Sequence, residues 1–172
     1  MFVRHVAATL VCCAFVAVPV ASIAADRGPS TPEERKQALE YIQHFDADPL
    51  NPDLKKEVQW VTEWMIQIPD IHVNLCLLVD LPKGDKKHSQ TLFTAIVMAQ
   101  TRFAVEHRDV PPDLDAEYLA GMQGLLHAYE KVLAAYPKDR QPALDDLVQR
   151  RDAGTLPQYI KERATASCKK SG

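Results

Sequence analysis

Few residue types in this chain could carry chemistry. Downstream of Ala24 it holds two cysteines, Cys76 and Cys168, five histidines, and one close aromatic pair, Trp60 and Trp64. Cys76 and Cys168 are 92 residues apart. In an oxidising compartment two such thiols read as a disulfide, and closing so long a loop stabilises by roughly 4–5 kcal/mol in the chain-entropy model. The pattern Cys-x-x-Cys, which a redox catalyst needs, does not occur. His72 and Cys76 sit four apart and would share a helical face, as a zinc pair does, but the disulfide competes for the same sulfur.

The histidines form no recognised metal motif. Glu40 and His44 are i, i+4, and His127 and Glu130 are i, i+3, yet neither His-Glu-x-x-His nor paired Glu-x-x-His is present. These read as solvated helix-surface residues. Asp46, Asp48, Asn51 and Asp53 make an oxygen-rich turn that lacks the glycine and closing glutamate of a calcium loop. No Gly-x-Ser-x-Gly elbow, phosphate-cradling loop or dinucleotide fingerprint occurs, and six glycines leave little material for such loops. No metal and no cofactor is expected. Trp60, Trp64, Asp70 and His72 are the best candidate binding patch, because aromatic side chains anchor interfaces and the two polar groups follow closely. Lys83, Lys86, Lys87 and His88 form a small basic loop, read as solvated.

The compartment follows from the first residues. Arg4 and the amino terminus give a positive start, Val6 to Val18 runs without a charge, and Pro19 precedes the small-residue end Ser22-Ile23-Ala24. These are the parts of a secretory signal peptide over 1–24, with cleavage between Ala24 and Ala25. Val11 before Cys12 does not fit a lipoprotein site. Export to the periplasm or the extracellular space is the expectation, with no membrane span left after cleavage. From Ala25 onward 19 Lys and Arg stand against 23 Asp and Glu, a formal charge of −4. That balance argues against nucleic acid as a partner.

The elements that must position these residues read as helices. Residues 25–30 look like a linker. Thr31-Pro32-Glu33-Glu34 opens a helix with a capping box, and Ala38, Leu39, Ile42 and Phe45 form its face. Asn51-Pro52-Asp53 opens a second helix reaching about Ile68. In residues 71–81 apolar and other side chains alternate with strand period, but no partner strand is evident. A short buried helix is therefore favoured over a strand there. A helix to about His107 follows, apolar over more than half its circumference and so the central one. Pro111-Pro112 breaks the chain, and Asp113 and Asp115 suit the start of a helix running to Tyr136. Along that helix Gly121, Gly124, Ala128 and Ala135 make a small-residue stripe that lets another backbone come close.

Leu125 to Pro137, with Tyr129 and Val132, resembles the second helix of a tetratricopeptide repeat. The resemblance covers 13 residues once, and Pro111-Pro112 falls where the repeat's first helix should begin, so the stretch is read as an ordinary amphipathic helix. Asp139 is expected to cap a helix ending near Asp152, with Gly154 beyond it. Thr155 and Gln158 suggest a capping box for the last helix. The expected architecture is one all-α domain over 31–168, a bundle of about six to seven helices, followed by a disordered tail over 169–172. The expected function is a non-catalytic protein-binding or immunity-like module, with an envelope protein or a secreted toxin as partner. The alternative is a small-molecule or metal-binding protein, possibly an enzyme, using Trp60, Trp64, Asp70 and His72.

Overall fold

The computed structural model describes residues 27–84 and 86–168. The stretch read as a signal peptide (1–24), the cleavage expected between Ala24 and Ala25, and the tail expected over 169–172 lie outside the described residues. Among those residues the fold is all-helical. Six α-helices follow in order: α1 (Pro32–Ala47), α2 (Lys55–Gln67), α3 (Ser89–Glu106), α4 (Leu114–Ala135), α5 (Pro142–Asp152) and α6 (Leu156–Ser167). Single 3-10 turns at Pro52–Leu54, Lys86–His88 and Pro137–Asp139 join them.

Local signals start and stop these helices. The Glu34 N–H donates to Thr31 Oγ1 at 3.1 Å and the Thr31 N–H donates to Glu34 Oε2 at 2.9 Å, the capping box the sequence announces. Asp113 caps α4 by accepting from the Ala116 N–H at 3.0 Å. Gly154, at φ +72°, closes α5: its N–H donates to the Arg151 carbonyl and the Thr155 N–H to the Arg150 carbonyl. Two expectations fail at the same end of the chain. Thr155 makes no side-chain cap on α6, because its N–H and hydroxyl both donate to the Arg150 carbonyl at the end of α5. Asp139 does not cap α5 either. It ends a 3-10 turn whose carboxylate lies 3.3 Å from His88, and Gln141 occupies the cap position.

The α3–α4 hairpin is the centre of the bundle. α1 lies on α3, α2 on α1, and α6 on α4 and α5. Small residues set the closeness of the central pair. A Cβ on Gly124 would stand 2.5 Å from Ala99 Cβ and 2.8 Å from the Ala95 carbonyl oxygen, and one on Gly121 would meet Gln100 at 2.9 Å. Gly121, Gly124 and the buried Ala128 therefore do what their stripe implies, while Ala135 is exposed and takes no part. The main core gathers α1, α3, α4, α5 and α6 around Leu92, Ile96, Met122, Leu125 and Leu126. A smaller apolar cluster joins Ala38, Trp64, Ile68, Ile71 and Val105. Tyr129 is fully buried, and its hydroxyl accepts from the Gln141 N–H at 2.7 Å and reaches Asp145 Oδ1 at 3.0 Å, fastening α4 to the start of α5.

Residues 71–81 form neither the expected buried helix nor a strand. They belong to an irregular strap running from Ile68 to Lys83. Three β-branched residues, Ile71, Val73 and Val79, disfavour a helix there, and Pro69 and Pro82 stand at its limits. The alternation reflects neither a ladder nor a helical face. Ile71 sinks into the smaller cluster and Leu78 into the main core, whereas Leu75 and Leu77 face outward at 52% and 57% exposure.

Candidate functional site

The strap has no regular backbone pairing, so side chains from the hairpin hold it. Glu117, in the first turn of α4, is buried and accepts twice from one residue: the Asn74 N–H at 2.5 Å and the Asn74 amide Nδ2 at 3.0 Å. Gln100 of α3, also buried, donates from Nε2 to the Asn74 carbonyl at 3.2 Å. One peptide position thus has donor and acceptor satisfied by two buried side chains. Two residues further on, Cys76 is disulfide-bonded to Cys168 at the end of α6, with Cα atoms 6.0 Å apart. The cystine expected from sequence is formed.

Between the strap and the α3–α4 corner lies a cleft of about 460 Å³. The strap gives one wall through Asp70, His72 and Asn74. The end of α3 gives Phe103, His107 and Arg108. The corner gives Val110, Pro111 and Pro112, and the start of α4 gives Asp113 and Glu117. The lining surface is mainly apolar, and Val110, one of the lining residues, is 53% exposed. The His107 ring stacks on Phe103 with centroids 4.1 Å apart, and its Nδ1 lies 2.9 Å from the Phe103 carbonyl. Three carboxylates line the cleft against one guanidinium, so its charge is net negative when His72 and His107 are neutral.

Asp70 ties this region to the start of the domain. Its Oδ1 accepts from the Ser30 N–H and its Oδ2 from the Ser30 hydroxyl, both at 2.7 Å, and Arg108 lies 3.5 Å away. Burial alone would raise the Asp70 carboxyl, but the two Ser30 bonds and the Arg108 charge outweigh it and hold the group below the usual aspartate value. Arg27, within the stretch 25–30 read as a linker, bonds Gln67 at 2.9 Å and Glu34 at 2.5 Å. Residues 27–30 are thus held against α1 and the end of α2.

The structure divides the four-residue patch expected from sequence. Asp70 and His72 line the cleft, with His72 exposed. Trp60 and Trp64 do not. They stack on each other with centroids 5.8 Å apart and planes 10° from parallel, and Tyr41 meets Trp60 edge-on at 5.5 Å. Trp64 is buried in the smaller cluster; its indole N–H makes no hydrogen bond of normal length, though the Glu34 carboxylate is near enough to feel it. Other candidates serve as fasteners. His44 Nδ1 lies 2.8 Å from Glu57, His127 Nε2 lies 2.9 Å from the Asp46 carbonyl, and the Asp46 carboxylate pairs with Arg102. Lys87 of the basic loop donates to the Arg140 carbonyl at 2.7 Å. Among the described residues no group of three or more His, Cys, Asp or Glu side chains could hold a metal ion.

Sequence reasoning missed Glu117, Gln100, Arg108 and Val110. One signal for Glu117 was present: it stands four residues before Gly121, in line with the small-residue stripe, where an acidic side chain is out of place unless something bonds it. No family model matches the chain, and neither curated proteins nor solved structures match it.

Proposed function

We propose that this protein is an exported, non-catalytic binding module. In this reading its cleft receives a segment of another protein carrying an apolar side chain beside a basic one. The observation that supports this reading is the cleft itself: a mainly apolar lining, an exposed Val110 within it, and carboxylates in excess over guanidinium. Apolar contact supplies affinity, and complementary charge selects the partner and speeds its approach. Asp70, Asp113 and Glu117 are already engaged in holding the fold, which suits a passive surface better than an acid–base site. Envelope proteins or a secreted toxin remain the expected partners.

The test starts from protein recovered from the cell envelope or medium. Its intact mass should correspond to a chain beginning at Ala25; a chain still beginning at Met1 removes the cleaved-signal reading and leaves the segment as an uncleaved membrane anchor. The recovered protein then serves as bait beside a Val110→Glu variant, whose exposed position leaves the fold intact. A protein retained by the first bait, lost with the second and released by raised salt is the expected result. A second reading has one observation in its favour, because 460 Å³ also suits a small organic ligand. Capture that does not distinguish the two baits overturns the protein reading and leaves the cleft to such a ligand.

A further inference from the structure

We propose that the Cys76–Cys168 bond is a redox latch on the strap, and that a dithiol protein opens it without unfolding the helical bundle. A staple for the C-terminus would be the ordinary role for such a bond, but α6 has little need of one. Leu156, Ile160 and Ala164 bury its inner face against α4 and α5, up to four residues from Cys168. The strap has much greater need. It forms no helix or strand, and between Ile71 and Asp80 its backbone is bonded at Asn74, to Glu117 and Gln100. Apolar contacts add to its hold: Ile71 and Leu78 are buried, and Val79 and Leu81 pack half-buried against the main core. Of these restraints, only the disulfide is covalent, and only it can be undone by a chemical signal.

Both cysteines are half-buried, which leaves room for a reductant to approach. A thiolate of the reductant attacks one sulfur of the pair, and the other leaves as a thiolate that takes up a proton. The second thiol of the reductant then resolves the mixed disulfide. Two electrons pass to the protein, which ends with thiols at Cys76 and Cys168, while the reductant ends with the disulfide. With the latch open, the hold on Asp70, His72 and Asn74 loosens, and these form one wall of the cleft. That consequence rests on the cleft being the binding site; the latch does not.

Hydrogen exchange of the mature chain, oxidised and after incubation with a small dithiol oxidoreductase, tests this. Alkylation after the incubation should label two cysteines, and failure to label them under native conditions overturns the proposal. Amides of residues 71–81 should then exchange about tenfold faster or more, with α3 and α4 still folded and the slowest to exchange. A Cys76→Ser variant should reproduce the reduced pattern. If α3 and α4 lose protection together with the strap, the bond is a global staple and the latch is wrong. If the strap does not quicken, the latch is equally wrong. A strap that quickens while partner capture stays the same would retire the cleft reading and keep the latch.

Discussion

Asp70 shows what a single carboxylate does here. It receives the N–H and hydroxyl of Ser30 and faces Arg108, so it binds the start of the domain, the strap and the α3–α4 corner to one point. Asp70→Asn keeps the shape but leaves one acceptor oxygen where two donors converge. Stability at neutral pH should fall by about 1–3 kcal/mol, read by urea unfolding. The pH dependence has a defined sign. A carboxyl held below its ordinary value contributes fully above the unfolded pKa of about 3.9, and the contribution is lost as pH falls through the folded value. The gap between wild type and variant should therefore narrow as pH drops from about 4, and a gap constant across that range would refute the assignment. Glu34 acts in the same direction. The Thr31 N–H lowers it most, against the opposing effect of burial, and Arg27 adds to the lowering. The Thr31–Glu34 box was legible in the sequence because its partners are three residues apart. The Ser30–Asp70 knot spans 40, and no local rule reaches that far.

Among the elements, α3 and α4 were the most legible and the strap the least. Their apolar periodicity is long, and the Gly121–Gly124 stripe told in advance that two backbones would meet. Gly124→Ala tests that contact. The added methyl would meet Ala99 and the Ala95 carbonyl of α3 well inside normal contact, and backbone cannot yield as a flexible side chain does. About 1–3 kcal/mol should be lost, lowering the melting temperature by several degrees. An unchanged or higher melting temperature would show that the helices have slack at their crossing. The strap defeated the same reasoning for a physical reason. Its side chains answer to two separate apolar clusters, and its one well-paired peptide answers to Glu117, 43 residues later. Periodicity reports a single face, so it has nothing to say about a segment that turns toward several. The helix favoured there and the caps expected of Asp139 and Thr155 failed alike, since each residue was already engaged by a partner outside its own turn. At the candidate site, Asp70 and His72 were found from sequence only as neighbours of the two tryptophans, which the fold then took into other surroundings.

Across the whole molecule the strap links the two apolar clusters, through Ile71 in one and Leu78 in the other. Its cystine spans 92 residues and its carboxylate clasp 43, whereas the α3–α4 hairpin closes over a short corner. Closing longer loops costs more entropy, and contacts distant in sequence form later. Pulse-labelled exchange during refolding should therefore show α3 and α4 protected before the Asn74 amide. Simultaneous protection would mean the strap seats with the hairpin rather than upon it. Such an order gives the chain a vulnerable interval. Until α4 and α6 have been made and seated, Leu78 lies open beside Leu75 and Leu77, which stay exposed in the finished fold, and such a short apolar run is the kind of stretch through which unfinished copies cling to one another. For this protein, solubility is then a question of timing at birth: how long that run waits for α4 and α6 matters more than how firmly they finally hold it.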